Sequence, residues 1–448
     1  MVLYLAAGRI DLLLFSVSSF AKPFLQFLVF ASLRVALPQP SWLTRAAVIS
    51  ARIGRDVWRR GAGTTGWAGA AVDAAVALVS TRLAAKAVGV AASLAYPEFI
   101  PRSFAAPFQA VKFAETFAAW DSAWYLDIAQ RGYFFSDSGQ SSVAFFPLYP
   151  LLIRAGASIL GGSPQAYWVS AIVLSYVSFF AALVLLHRLA ERMLHEREAA
   201  RRTVLYVAVF PFSFPFTRIY AESLFLLLSV AAVWGATEGR WRLAGACGAL
   251  AALTRPNGIL ILAPLAVMAL QMPATWPELM RRALPLLAVP AALGSYCVFV
   301  YWMSGNALAW LAAQAHWGYS IGHPPWATVL RTLESIEAQG LYGYMLATDG
   351  ALYAVSHAVV GLTVIALTPS VFRRLGVAMG CYVALGILIP FSGNALEGIG
   401  RYSATLFPLF IYLGGTLRSQ RGHETMLIVG SLWLALNIGF FVTQRPVY

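Results

Sequence analysis

The residues best suited to chemistry lie in one short stretch, from Trp120 to Tyr133. It holds two carboxylates, Asp121 and Asp127, together with an arginine and four aromatic rings. A carboxylate can take the proton of a hydroxyl group, and aromatic rings stack on the faces of pyranose sugars. The combination favours a site that handles a sugar.

The same stretch has the start and stop signals of a helix. Asp121 can cap the N-terminus, and Gly132 stands where a left-handed C-terminal cap is expected. Spacings of three and four residues then place Asp121, Tyr125 and Ile128 on one helix face, with Trp124 beside them. We expect this helix to present its acid and its rings together.

Composition places the stretch in a membrane protein. Of the 448 residues, 59% are hydrophobic and 11% are charged, and the mean hydropathy is +0.69. Apolar runs of roughly 17–25 residues, long enough to span a bilayer, recur along nearly the whole chain. We therefore predict an all-α, polytopic transmembrane protein with about 11–12 membrane segments. The three cysteines fall inside apolar runs without metal-ligand spacing and are interpreted as small core residues.

The basic residues predict the orientation. The net charge of +13 comes mostly from arginines in short clusters between apolar runs, a pattern typical of cytoplasmic loops rather than of nucleic-acid binding. The strongest cluster, residues 187–203, predicts a cytoplasmic loop and puts the long loop 97–165 on the extracytoplasmic side. That first loop also holds a proline-punctuated aromatic motif, Phe145 to Pro150, which suits short helices at the membrane surface.

The chain divides into two predicted regions. Residues 1–68, apolar and then rich in arginine, form an N-terminal extension that is cytoplasmic or partly membrane-associated, and residues 69–448 form the transmembrane domain. Residues 1–37 fit a spanning helix, an interfacial helix or a simple extension. Scarce lysine and abundant alanine favour a GC-rich bacterial genome, so we expect a bacterial plasma membrane protein.

One apolar run, residues 243–271, contains a break at Thr254-Arg255-Pro256-Asn257-Gly258. The simplest interpretation is two half-helices with Arg255 and Asn257 at their outer ends. Broken helices inside membranes usually line a cavity, and an arginine there needs an anionic partner or water.

With this topology, unusual polar side chains from five loops share the outer face. They are Asp121, Asp127, Arg131, Arg218, Glu222, Arg255, Asn257, His316, Glu397 and Arg401. Simpler interpretations exist for single residues: helix caps for Asp121 and Glu222, and interfacial side chains for Arg218, His316 and Arg401. As a group, acids and arginines among aromatic rings favour a site for an anionic lipid and a hydroxyl-bearing partner.

Several motifs in this order resemble the PIG-V family of membrane mannosyltransferases, over a region from about residue 69 to the C-terminus. They are Trp120-Asp121-x-x-Trp124-Tyr125-x-x-Ile128-Ala129-x-x-Gly132-Tyr133, Phe145-Phe146-Pro147-Leu148-Tyr149-Pro150, Tyr220-Ala221-Glu222-Ser223, Leu253-Thr254-Arg255-Pro256-Asn257-Gly258 and Gly400-Arg401-Tyr402. The two first-loop motifs are specific in combination, and the others are weak alone.

The resemblance implies a GT-C glycosyltransferase fold and activity. Such an enzyme moves a mannosyl residue from a polyprenyl-phosphate or dolichyl-phosphate donor to a hydroxyl of a glycolipid, glycan or protein acceptor. Asp121 would be the base of a single inverting displacement, and Arg255 and Arg401 would stabilise the leaving phosphate. The predicted substrate-binding residues are Trp120, Trp124, Tyr125, Arg131, Arg218, Glu222, Arg255, Asn257, His316, Arg401 and Tyr402. The resemblance also implies that no cofactor and no metal is needed, and the outer loops agree with this in lacking a compact Asp/His cluster.

Two alternatives stay open at this point. A polytopic transporter or lipid flippase would use the broken helix at Arg255 as its substrate site, although the sequence has no evident inverted repeat. A non-catalytic GT-C-like subunit would keep the fold without the reaction.

Overall fold

The structure, a computed structural model, describes residues 10–12, 15–17, 65–102, 106–109, 111–319, 323–340, 349–393, 396 and 398–445. From residue 65 onward the described chain is helical, which confirms the predicted all-α class. Before it, strands β1 (Ile10–Leu12) and β2 (Phe15–Val17) form a short antiparallel pair. The other residues before Thr65, and Glu397, lie outside the described residues, and the last four residues of the predicted N-terminal extension, 65–68, lead into the first long helix.

The first part of the helical region carries the long loop. It contains α1 (Gly66–Ala95), α2 (Val111–Glu115), α3 (Asp121–Arg131), a 3₁₀ turn (Ser142–Ala144) and α4 (Leu148–Ile159). The short helices predicted for loop 97–165 are therefore present. Pro147 precedes α4, at a helix start where its missing N–H costs nothing.

The next part contains the predicted break. Its helices are α5 (Pro164–Leu194), α6 (Arg197–Val209), α7 (Glu222–Thr237), α8 (Trp241–Ala252) and α9 (Leu262–Gln271). Helix α8 ends just before Arg255, whose backbone is extended, and a 3₁₀ segment (Pro256–Ile261) then leads into α9. The two predicted half-helices are thus confirmed.

The last part completes the bundle. Its helices are α10 (Trp276–Ala283), α11 (Ala288–Ser304), α12 (Ala309–Ala313), α13 (Pro325–Gln339), α14 (Asp349–Phe391), α15 (Ile399–Ala404), α16 (Phe407–Thr416) and α17 (Gln420–Val442). Helix α14 is interrupted at Gly376, where φ is +84°. The short loop predicted at 392–403 contains α15, which carries Arg401.

Length and composition identify the membrane-crossing elements. Among the residues that the structure describes, five helical segments can cross a bilayer: Gly66–Ala95, Pro164–Leu194, Trp276–Ser304, Tyr353–Phe391 and Gln420–Val442. The same part of the chain contains four shorter apolar helices: Leu148–Ile159, Glu222–Thr237, Pro256–Gln271 and Phe407–Thr416. The chain is therefore an integral membrane protein, while its total of 11–12 membrane segments stays a prediction.

Helix α5 organises the packing, since α1, α4, α6 and α7 all lie against it. Asp73 on α1 helps to hold this arrangement. Its buried carboxylate accepts hydrogen bonds from His187 Nε2 at 3.0 Å and Arg201 Nε at 2.9 Å. These contacts join α1 to α5 and α6. Breaking one side of such a buried network typically costs about 3–5 kcal/mol, so it fixes how the three helices pack.

Candidate active site

Helix α3 holds the residues on which the sequence analysis centred. It begins at Asp121 itself, one residue earlier than a cap at Asp121 would require, and Trp120 occupies the cap position with φ of +52°. The Asp121 side chain is thereby free to contact a distant residue rather than its own helix. Gly132 ends the helix at φ of +93°, although its ψ of −171° makes it extended rather than left-handed helical.

Aromatic packing fixes α3 against the second first-loop motif. Tyr125 is buried and makes edge-to-face contacts with Tyr149, at 5.0 Å between ring centroids, and with Phe145, at 5.3 Å. Trp124 stacks on Phe145 at 5.5 Å with an interplanar angle of 12°. Each such pair contributes about 0.5–1.5 kcal/mol beyond area burial, so α3 has one fixed orientation.

Four charged residues form a continuous chain beside this helix. Arg401 Nη1 donates to Asp121 Oδ2 at 2.7 Å, and Arg401 Nε lies 3.5 Å from Glu222 Oε1. Arg255 Nη1 forms an ion pair with the same Glu222 oxygen. We call Asp121, Glu222, Arg255 and Arg401 the charged cluster. Its two acids balance its two arginines in formal charge.

Exposure differs within the charged cluster. The Glu222 side chain is 1% exposed and the Asp121 side chain 19%, with the two arginines between these values. Glu222 is therefore the buried member that holds both arginines, and Asp121 is the member that a substrate can reach. Burial lowers the pKa of Arg401, but Asp121 and Glu222 raise it more, and the net shift is upward. Arg401 consequently remains charged at any physiological pH.

Hydrogen bonds to the backbone of the first loop bring Asp121 and Glu222 together. The Ile219 N–H donates to Phe117 O at 2.9 Å, and the Tyr220 hydroxyl donates to Ala119 O at 3.1 Å. These bonds place the start of α7, with Glu222, beside the start of α3. The Tyr220 ring also lies under the Arg401 guanidinium, at 5.3 Å.

Close approaches at two glycines position the arginines. A Cβ on Gly258 would stand 2.1 Å from the Ala251 carbonyl oxygen, so only glycine allows the tight break that presents Arg255. A Cβ on Gly400 would meet the Phe212 ring at 2.3 Å, and the Gly400 N–H donates to the buried His357 Nδ1 at 2.9 Å. These contacts fix the position of the short helix α15, which carries Arg401.

Two cavities meet at Asp121. The smaller, of about 80 Å³, is lined by Asp121, Tyr125, Ala144, Phe145, Phe146, Thr254, Arg255, Pro256, Gln314, Trp317, Tyr319, Arg401 and Tyr402. The larger, of about 960 Å³, is lined by Pro107, Trp120, Asp121, Ala123, Trp124, Leu126, Asp127, Gln130, Arg131, Phe134, Gln140, Pro164, Trp168, His316, Trp317 and Gly318. The small cavity is rich in cationic and polar groups, whereas the large one has walls of aromatic rings. Asp121 and Trp317 line both.

The predicted site residues fall into three groups. Asp121, Tyr125, Arg255, Arg401 and Tyr402 line the small cavity, with Glu222 buried behind them. Trp120, Trp124, Arg131 and His316 line the large one. Arg218 and Asn257 line neither of these two cavities. Arg218 is instead 1% exposed and packs over the Phe441 ring, so the structure does not bring it to the charged cluster.

Sequence reasoning did not select several residues that shape the site. Tyr220, Phe145, Gln314, Trp317 and Tyr319 all contact or line it. Tyr220 and Phe145 stood in the quoted motifs, and the other three lay in the aromatic loop after α11, from which only His316 was chosen. Within the described residues, no group of three or more His, Cys, Asp or Glu side chains could hold a metal ion.

The fold and site define an integral membrane protein whose helical bundle holds a paired acid–arginine cluster between two cavities. Residues 77–319, more than half of the chain, match the family Mannosyltransferase (PIG-V). The chain belongs to this family, as the motifs predicted. The matched region includes Asp121, Glu222 and Arg255 and ends before Arg401.

Relatives of the chain carry names from the same family. It is 30% identical to GPI mannosyltransferase 2 of Yarrowia lipolytica over 183 residues, which make up 41% of this chain and 49% of that protein. It is 30% identical to GPI alpha-1,6-mannosyltransferase 2 of Mus musculus over 149 residues, 32% of this chain and 29% of that protein. The chain thus spans about half the length, or less, of these curated relatives.

Solved structures of similar shape include ArnT from Cupriavidus metallidurans bound to undecaprenyl phosphate. It has a TM-score of 0.45 at 16% identity, covering 78% of this chain and 62% of that one. Another is the archaeal oligosaccharyltransferase AglB from Archaeoglobus fulgidus, with a TM-score of 0.41 at 10% identity, covering 82% and 56%.

Proposed function

We propose that this protein transfers a mannosyl residue from a polyprenyl-phosphate donor to a hydroxyl of an acceptor, with residues 69–448 as the transferase domain. The observation that carries the proposal is the charged cluster, in which one reachable carboxylate touches an arginine pair at the meeting point of two cavities. Membership of the PIG-V family supports mannose as the transferred sugar. The acceptor is a glycolipid, glycan or protein hydroxyl.

The small cavity suits the donor phosphate. Arginine is the side chain that binds phosphate most effectively through paired N–H donors, and Arg255 and Arg401 both line this cavity. A volume of about 80 Å³ is several times the about 10–15 Å³ that holds one water, so a compact polar group fits. Tyr402 lies 5.2 Å under the Arg255 guanidinium and limits its motion.

The large cavity suits the acceptor. Trp120, Trp124 and Trp168 give it flat apolar surfaces, while Arg131 and His316 add polar groups at its edge. Sugars bind to such sites through ring stacking combined with hydrogen bonds. An acceptor hydroxyl in this cavity would approach Asp121 from the side opposite the arginines.

The reaction would be one displacement with inversion. The acceptor oxygen forms a bond to the anomeric carbon of mannose while the bond from that carbon to the phosphate oxygen breaks. The hydroxyl proton passes to the Asp121 carboxylate, and the lipid phosphate leaves with its negative charge against Arg255 and Arg401. In a site that excludes water, hydrogen-bond donors that point at the charge developing in the transition state usually make the largest single contribution to catalysis.

Because Asp121 is paired with Arg401, binding of the donor phosphate would also affect the proposed base. Arg401 Nη1 holds the Asp121 carboxylate at 2.7 Å. A donor phosphate would compete for the same guanidinium and release Asp121 toward the acceptor. The base would therefore become available once a donor is bound.

A reconstituted assay tests the proposed function. Purified protein in liposomes is supplied with polyprenyl-phosphate mannose and a panel of hydroxyl acceptors, and both mannosyl transfer and movement of donor lipid across the bilayer are measured. We expect transfer without net movement. Movement without transfer would indicate a flippase acting through the break at Arg255, and the absence of both would indicate a non-catalytic subunit.

The orientation of the site is a separate prediction, which rests on the arginine clusters. We propose that the site faces the extracytoplasmic side of a bacterial plasma membrane. Ser138 and His195 are both exposed, so each can be replaced by cysteine and probed with a membrane-impermeant thiol reagent in intact cells. Ser138→Cys should be labelled and His195→Cys protected, with the wild type, whose cysteines are partly buried, as background. Labelling of only His195→Cys would reverse the orientation.

A further inference from the structure

A second group of charges lies away from the charged cluster. Arg82 and Lys86 are one helical turn apart on α1, and Arg218 follows the 3₁₀ turn Phe214–Thr217. Arg82 is 3% exposed and Arg218 is 1% exposed, whereas Lys86 is half-buried. We call these three residues the basic cluster. None of them lines either cavity at Asp121.

The contacts of the basic cluster are all to neutral groups. Arg82 donates to Ser213 O and Ser213 Oγ, each at 3.1 Å, and also to Ala208 O. Lys86 Nζ donates to Thr116 Oγ1 at 3.2 Å and Thr116 O at 3.3 Å. These bonds satisfy polar atoms without neutralising a positive charge.

Arg218 is the least satisfied member. Its guanidinium lies 4.8 Å from the Phe441 ring centroid, and its Nε and Nη1 atoms have no hydrogen-bond partner among the described residues. A buried polar group without a partner is costly, and a buried charge without one costs far more. Two nitrogens of a fully buried guanidinium are thus available to an acceptor that the protein itself does not provide.

Repulsion among the positive charges of the basic cluster adds to the cost of burying them without a counter-charge. Arg218 and Arg82 both repel Lys86, and Arg102 adds to the positive field at Arg218. Within the described chain, no Asp or Glu forms an ion pair with any of the three. Two buried guanidinium groups beside a half-buried ammonium group need a counter-charge, because burial takes away much of the water that would otherwise screen them.

The surroundings show how an anion would enter. Val79 and Leu83 on α1 are 53% and 67% exposed, so this side of the helix faces lipid. Lys86 is one turn beyond Leu83 and is partly accessible, while Arg82 and Arg218 lie deeper. The Tyr220 ring, which touches both Phe441 and the Arg401 guanidinium, stands between the basic cluster and the charged cluster.

We propose that Arg82, Lys86 and Arg218 form a second anion site, which binds a phosphate group carried by a lipid or free in solution. Phosphate offers several acceptor oxygens and at least one negative charge, which match the unfilled donors of Arg218 and the ammonium group of Lys86. The site does not depend on the proposed transfer reaction.

The test measures phosphate binding by purified full-length protein in detergent. One arm uses inorganic phosphate against gluconate at equal ionic strength, and the other uses dioleoyl phosphatidic acid against dioleoyl glycerol in mixed micelles. Binding is followed by equilibrium retention of labelled ligand and by the Tm. We expect phosphate to bind and to raise the Tm, as any ligand selective for the folded state does.

Variants locate the site. Arg218→Met keeps an unbranched side chain without the charge and should weaken phosphate binding at least about tenfold. Arg218→Lys should retain part of the phosphate binding. It replaces Arg218→Met as the test variant if the methionine protein does not fold. Arg401→Ala removes a donor of the charged cluster, so phosphate binding that survives in it and is lost when Arg218→Met is added belongs to the basic cluster; Arg154→Met, at an exposed position, should change neither. Binding only of phosphatidic acid would identify a lipid headgroup as the source, and binding in both arms would show that free phosphate also enters.

Three results would overturn the proposal. Phosphate bound equally by wild type and Arg218→Met would remove Arg218 from the site. Binding lost in Arg401→Ala but kept in Arg218→Met would place the anion in the charged cluster. No binding in either arm, with Arg218→Met as stable as or more stable than wild type, would make the basic cluster a structural feature without a ligand.

Discussion

Replacing Asp121 with asparagine should reduce mannosyl transfer by about 10²–10⁴-fold while the protein still folds. Asparagine keeps the size and a hydrogen-bond acceptor for Arg401 but cannot take a proton. The side chain is 19% exposed and does not cap its own helix, so folding depends little on its charge. The turnover number and the Tm should be measured on the same preparation.

Two further variants sharpen this test. Asp121→Glu should also be impaired, because one extra methylene moves the carboxylate out of hydrogen-bond reach of the attacking hydroxyl. Asp127→Asn should keep most activity, because Asp127 lines the large cavity but is not part of the charged cluster; among the described residues its ion-pair partner is the exposed Arg131, at 3.3 Å. If Asp121→Asn is stable and nearly fully active, the base is another residue, with Glu222 or Asp127 the next candidates.

Removing either arginine of the charged cluster should impair use of the lipid-phosphate donor. Arg255→Ala or Arg401→Ala is expected to lower kcat/KM for the donor by roughly 10–1000-fold, through loss of a charge-assisted hydrogen bond worth about 1.5–3 kcal/mol or more. Initial rates over a range of donor concentrations measure this effect. Removing one arginine also leaves Glu222 with a single partner, so the Tm should fall as well.

Controls separate phosphate binding from packing. Arg255→Lys and Arg401→Lys retain the charge and should restore activity only partly, because lysine lacks the planar pair of donors. Arg154→Ala removes an exposed arginine of α4 and should leave donor kinetics unchanged. A well-folded Arg255→Ala protein with wild-type donor kinetics would exclude Arg255 from the donor site.

Local patterns in the sequence predicted much of the fold. Apolar run lengths identified the long helices, and the proline at 256 predicted the break that the structure has between α8 and the segment Pro256–Ile261. The helix at 121–131 was also foreseen, because its residues carry their own start and stop signals. Such features depend on neighbouring residues only, so one sequence is enough to show them.

Contacts between distant residues could not be predicted in this way. Asp121 and Arg401 are 280 positions apart, and the sequence placed both on the outer face without showing that they pair. Arg218 shows the opposite outcome, since it was grouped with the site but packs over the Phe441 ring. The difference is set by the Tyr220 ring and by the bonds that join residues 117–119 to 219–220, none of which has a local signal.

The most direct test of the proposed reaction is the balance between its two products. Purified protein in liposomes is given polyprenyl-phosphate mannose with an acceptor found in the panel assay, and the mannosylated acceptor and the released polyprenyl phosphate are counted in a single turnover. The two should appear in equal amounts and at the same rate, and both should nearly vanish in Asp121→Asn. Release of polyprenyl phosphate without mannosylated acceptor, or equal rates in wild type and Asp121→Asn, would contradict the assignment of Asp121 as the base of a mannosyl transfer.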